Sequence, residues 1–189
     1  MLDNRIENFQ RRNDMPTVKH FPKMRVAYVA NVGPFGEATR RGFEKLFAWL
    51  EANHLQPLGA SLGIFYDDPA KVAAEKLRSE SCVPVAMDVL GSGEVQTKDI
   101  GDVEVATIVY QGEQNIARAY NEVYDWLRAQ GYRDAGAPME TYLSSLGEEL
   151  RAEIAVPIVK ARRQVAAKKP AKKAAKKPAK KKVKRAARK

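Results

Sequence analysis

Apolar residues recur at three- and four-residue intervals through Phe43, Leu46, Phe47 and Leu50, the stripe of an amphipathic helix. The same stripe returns further along: "FEKLFAWLEA" from Phe43 aligns without gaps to "YNEVYDWLRA" from Tyr120. Phe43/Tyr120, Leu46/Val123, Phe47/Tyr124, Trp49/Trp126, Leu50/Leu127 and Ala52/Ala129 pair in kind, and both tryptophans fall at core spacing. Ahead of each helix lies a run rich in Val, "MRVAYVANVG" or "VEVATIVYQG", which reads as a strand closed by Gly33 or Gly112. Behind each helix come a turn, with Gly59 aligned to Gly136, and a short strand, "SLGIFYDD" or "PMETYLSS". A last strand then follows, "LRSESCVPVA" from Leu77 or "LRAEIAVPIV" from Leu150.

Each half thus spells strand–helix–strand–strand, over about residues 22–90 and 100–160. The expected fold is α+β: a tandem duplication whose two antiparallel sheets meet to form a central cleft on a pseudo-twofold axis. "DVLGSGEVQTKDIG" between the halves reads as a turn-rich connector, and its Gly-Ser-Gly as a hairpin turn rather than a phosphate loop. Pro84 and Pro157 suit edge or terminal positions, because proline donates no ladder hydrogen bond.

Strand alternation sorts the last strand into faces. Leu150, Ala152, Ile154, Val156 and Ile158 form a core face; Arg151, Glu153, Ala155 and Pro157 form the other, with Glu80, Cys82 and Pro84 equivalent in the first half. Glu153 and Glu80 are therefore expected in the cleft, with Tyr142, Phe65, Tyr66, Tyr28 and Tyr110 supplying aromatic surface. A carboxylate among ring faces attracts a lipophilic cation, each ring adding about 0.5–2 kcal/mol. The plainer alternative pairs Glu153 with Arg151 or a surface lysine and leaves it solvated.

Charge divides the chain. Residues 160–189 hold 16 of the 33 Lys and Arg and no acid, so 17 basic residues face 23 acidic ones elsewhere, a net of −6 under an overall +10. The tail, 161–189, is built from Ala, Lys and Pro, a composition expected to be disordered when free. Its paired cations are Lys168, Lys169, Lys172, Lys173, Lys176, Lys177, Lys180, Lys181, Lys182, Lys184, Arg185, Arg188 and Lys189. They suit a phosphate backbone without base readout, so non-specific DNA binding is the expected role, with RNA left open. An anionic membrane surface fits less well, since only Val165 and Val183 interrupt the basic run.

The start, "MLDNRIENFQRRNDMP", has no apolar signal core, and no run of eighteen apolar residues occurs. The single cysteine, Cys82, permits no internal disulfide. These point to a cytoplasmic protein, with nucleoid association through the tail. His20, His54 and Cys82 show no ligand spacing, so neither metal nor cofactor is expected.

"MRVAYVANVGPFGEA", "LRSESCVPV" and "METYLSSLGEELRAEIAVPI" resemble the gyrase-inhibitor-like (GyrI-like) small-molecule-binding family, which includes the effector-binding domains of AraC-type and MerR-type regulators. The likeness covers residues 16–160, leaving 1–15 as an extension. It implies a duplicated fold with a cleft for amphipathic, often cationic, molecules, with Glu153 as the acid and Tyr142 beside it. Some stand-alone members resemble hydrolases of cyclopropane-bearing compounds that use such a pair. The tail resembles linker-histone tails.

Two functions follow. The first is a binding module for an amphipathic cation, carried to DNA by the tail and modulating transcription or a DNA enzyme such as gyrase. The alternative is a stand-alone hydrolase in which Glu153 activates water and Tyr142 donates or orients, with Glu140 and Glu153 a further pair that could serve as acid and base.

Overall fold

The computed structural model describes residues 15–145 and 147–161, so the cationic run just named lies outside the described residues. Among the described residues nine strands and two α-helices follow in order: β1 (Thr17–Phe21), β2 (Met24–Val32), α1 (Phe35–Ala52), β3 (Leu62–Phe65), β4 (Arg78–Pro84), β5 (Gln96–Ile100), β6 (Val103–Gln111), α2 (Ile116–Ala129), β7 (Tyr132–Asp134), β8 (Met139–Tyr142) and β9 (Arg151–Lys160). All pairings are antiparallel, in the order β1-β6-β9-β8-β3-β4-β2-β5, with β7 also on β9. The α+β class is as the periodicities predict: the sheet curls into a half-barrel with two helices.

The expected two sheets are one. β3 pairs with β8 directly, Leu62 opposite Thr141, Gly63 opposite Glu140 and Ile64 opposite Met139. Two four-residue strands meeting edge to edge would otherwise leave unpaired N–H and C=O groups at the seam, so the backbone closes it.

Three strands were not visible in the apolar pattern. β7 lies in the segment read as the turn after the second helix, β1 lies upstream of the first half, and β5 occupies the stretch read as connector. β1 and β5 cross over: β1 pairs with β6, Lys19 opposite Val105, and β5 pairs with β2, Lys98 opposite Val26. Their two-residue links, Pro22–Lys23 and Gly101–Asp102, touch where they cross. Gly101 has φ +94°, and a Cβ there would collide with the Pro22 carbonyl.

On the helix side, α1 packs on β2 and β4 through Leu46 and Leu50 against Ala27, Val29 and Val83. α2 packs on β6 and β9 through Val123 and Leu127 against Ile108, Ile154, Val156 and Ile158, the core face expected of β9. The opposite face is the inside of the curl. There Phe21, Val26, Leu62, Ile64, Cys82, Val105, Met139 and Ala155 form a buried cluster. Much of the hollow expected on this face is filled with side chains, Phe21 among them, and what remains is a surface groove beside Glu153.

Pro157 lies inside β9 rather than at its end. Its carbonyl accepts from the Ala135 N–H at 2.8 Å, on the side where β8 has stopped and β7 not yet begun. A residue's N and O point to the same side of an antiparallel strand, so the missing donor falls in that gap. No helix among the described residues is long and apolar enough to cross a membrane.

Candidate ligand-binding site

The expected site residues divide between the two faces of the sheet. Glu153 is on the inner face, where both carboxylate oxygens accept from Lys19 Nζ at 2.7 and 2.6 Å. Glu80, its counterpart, is paired with Lys98, whose ammonium also donates to Tyr66 Oη at 3.2 Å and sits 4.6 Å from the Tyr28 ring centroid. Burial works against the Lys98 charge, yet the bonds to Glu80 and Tyr66 outweigh it and its pKa is raised. The crossed strands β1 and β5 thus deliver one lysine to each acid. Both cleft acids of the sequence reading carry a built-in cation.

The Lys98 pair is the more enclosed, 28% and 11% exposed for lysine and acid against 45% and 17% for Lys19 and Glu153. Lys98→Met should therefore destabilise by about 1–3 kcal/mol and Lys19→Met by under about 1 kcal/mol, read by urea denaturation. Equal effects would refute this ranking. A surface groove of about 510 Å³ opens beside Lys19 and Glu153, lined by Phe21, Met24, Leu58 and Pro84, but its acid is already neutralised.

Tyr110, Tyr142 and Phe65 lie on the helix side instead. Register explains it: Thr141 is opposite Glu153, while Tyr142 is opposite Ala152 and Glu140 opposite Ile154, a core-face residue. Since α1 and α2 each cover their own half, the seam strands β3 and β8 floor a groove between the helices. On that floor stand the register partners Gly63 and Glu140.

Glu140 is buried, 4% exposed. Tyr120 Oη donates to Oε1 at 2.8 Å and Tyr110 Oη to Oε2 at 3.2 Å. Desolvation raises its pKa, and the two phenols pull it partly back. Burial, helped by the Glu140 charge, pushes Tyr110, Tyr120 and Tyr142 above the ordinary phenol range, so all three stay neutral. Among the described residues no Lys, Arg or His nitrogen lies within 4.0 Å of this carboxylate. It is a buried carboxyl group held by neutral hydroxyls.

The walls differ in chemistry. The first half presents Phe35, Phe43, Phe47 and Phe65; the second presents Tyr110, Tyr120, Tyr124 and Tyr142. Phe43 meets Tyr142 edge-on at 5.7 Å across the groove, Phe35 meets Phe65 at 5.0 Å, and Tyr120 stacks on Tyr124 at 6.4 Å. Gly63 makes room for this: a Cβ there would lie 2.8 Å from the Phe65 ring and 3.1 Å from Tyr142 Oη. One wall is apolar, the other carries hydroxyls converging on an acid, which suits an amphipathic molecule with a positive end.

Sequence reasoning weighed Glu140 only as an acid–base partner of Glu153 and passed over Tyr120 as a helix-stripe residue. A signal was present: Phe43/Tyr120, Phe47/Tyr124 and Phe65/Tyr142 are aligned pairs in which only the second half gains a hydroxyl.

With one curled antiparallel sheet of nine strands, two flanking helices and a groove at the β3–β8 seam, the chain belongs to the GyrI-like small molecule binding domain family, whose profile matches residues 14–159. It is 30% identical over 139 residues to a protein named DNA gyrase inhibitor from Cronobacter turicensis, covering 74% of this chain and 78% of the relative. The fold is similar to EcmrR in its complex with DNA, with a TM-score of 0.70 at 17% identity over 83% of this chain; the match spans 64% of the EcmrR chain. It is also similar to a hydrolase from Listeria innocua, with a TM-score of 0.59 at 14% identity, covering 82% of this chain and 98% of that one.

Proposed function

We propose that this small-molecule-binding domain takes an amphipathic monocation in the groove between α1 and α2, its charge against Glu140 and its apolar part against the phenylalanine wall. One observation carries the reading. Of the three acids weighed, Glu80 and Glu153 have lysines, whereas among the described residues Glu140 is met by phenols and no cation, so a ligand's positive charge would complete that site. The arrangement supports binding more than hydrolysis by Glu153 and Tyr142, which face opposite sides of the sheet.

Rhodamine 6G, a lipophilic fluorescent cation, and fluorescein, a comparable anion, test this by anisotropy titration. Rhodamine should bind and fluorescein should not; equal affinities would sink the charge argument.

The remaining parts of the proposal concern the whole chain. Residues 16–160 act as the binding domain, built by tandem duplication, and 161–189 carry it to DNA, consistent with the 16 basic and no acidic residues of 160–189. The relatives named DNA gyrase inhibitor make gyrase the candidate partner. If about six phosphates are neutralised, the logarithm of DNA affinity should fall against log salt with slope near −5. Deleting 161–189 should abolish DNA retention and leave rhodamine binding intact. DNA binding that survives the deletion would refute the tail's role.

A further inference from the structure

Glu140 lies under aromatic rings in a closed groove, so a wall must move before any ligand reaches it. We infer that the N-terminal half of α1, Phe35–Phe43, is that wall, lifting from β2 and β4 while α2 stays seated. The inference rests on the groove being the ligand site. It is carried by a difference between the undersides of the two helices.

Beneath α1 the contact is polar. Asn31 on β2, Thr39 on α1, and Ser79 and Ser81 on β4 are all buried there. The Asn31 amide and Ser81 Oγ are 3.0 Å apart, and Ser81 Oγ donates to the Thr39 carbonyl at 2.8 Å. Thr39 Oγ1 and Ser79 Oγ have no hydrogen-bond partner among the described residues. Gly42 completes the contact, since a Cβ there would collide with the Asn31 amide and the Ser81 hydroxyl.

In the aligned half the same positions are Tyr110, Ile116, Ala152, Ile154 and Ala119. Apart from the Tyr110 hydroxyl, which is spent on Glu140, that underside is aliphatic. Lifting α2 would expose Ile and Ala surface to water, which opposes opening. Lifting α1 hydrates hydroxyls that are short of partners, so opening there gains hydrogen bonds. The same movement withdraws Phe35 from Phe65 and Phe43 from Tyr142, the two contacts that close the groove over Gly63 and Glu140.

Amide hydrogen exchange on the full chain tests this without ligand, comparing residues 39–46 with the aligned 116–123. The comparison is set against the inference, because 116–119 form the first turn of α2, where amides lack intrahelical acceptors. Residues 39–46 should still exchange at least about fivefold faster, reflecting local opening.

The double variant Thr39→Val with Ser79→Ala removes both unpartnered hydroxyls without removing bulk. It should slow exchange in 39–46 several-fold and slow rhodamine 6G association by a similar factor. Exchange in 39–46 no faster than in 116–123, or a double variant that exchanges like wild type, would overturn the moving wall. Failure of rhodamine 6G to bind the wild-type chain at all would instead sink the site reading, a result the exchange data report separately.

Discussion

Glu140→Gln is expected to weaken rhodamine 6G binding by at least about 30-fold while stabilising the ligand-free protein at neutral pH. The two effects have one cause. The carboxylate is buried without a cation within 4.0 Å among the described residues, so its charge costs free energy in the empty protein and returns it when a positive ligand arrives. Removing one partner of a desolvated charge pair costs about 2–5 kcal/mol of binding, and every 1.4 kcal/mol is tenfold. Glutamine still accepts from Tyr120 and can donate to Tyr110, so the floor of the groove keeps its shape.

The pH dependence has a definite sign. Burial raises the Glu140 pKa above 4.5, so in that window the folded state binds more protons than the unfolded state. The stability it contributes is fully present below about 4.5 and is lost as pH rises through the raised value. Cation affinity should run oppositely, rising with pH as the carboxylate ionises. In Glu140→Gln both trends should flatten over that window. Guanidinium denaturation and anisotropy across pH measure the two arms. A variant that lost stability and affinity together would mark Glu140 as a packing residue.

The second large effect is Gly101→Ala, expected to destabilise by about 3 kcal/mol. Two costs add there. The backbone has φ +94°, a region where residues with a Cβ are strained by about 1–3 kcal/mol. The added methyl also meets the Pro22 carbonyl where the two crossing links touch, and overpacking costs about 1–3 kcal/mol more. Gly93→Ala is the control: φ is +60° with nothing within 4 Å of the added Cβ, so only a strain cost of about 1 kcal/mol is expected. If both variants unfolded at the same denaturant concentration, the close approach of the two links would carry no energetic weight.

How much could be read in advance depends on length and polarity. β2, β6, β9 and both helices carry long apolar patterns, and the alternation of Ile154, Val156 and Ile158 placed β9's core face correctly. β1, "TVKHF", and β5, "QTKDI", are short and half polar, and each finds its partner in the other half, so no local pattern announces them. β8 posed a different difficulty. In a strand of four residues a slip of one position exchanges the faces, which separates Tyr142 from Glu153 and joins it to Glu140. The resemblance named the family and the kind of ligand; the acid itself depended on that single step of register.

The sequence by itself determined the two amphipathic helices, the family and the split between an acidic body and a basic end, because each is written in local periodicity, motif or composition. Tertiary structure alone decided which carboxylate lacks a counter-ion among the described residues. Lys19 and Lys98 reach Glu153 and Glu80 only through strands that cross between halves, and Glu140 is buried only because β3 and β8 close the seam beneath the two helices. Burial and pairing of a charge depend on groups far apart along the chain, so no window of residues contains them.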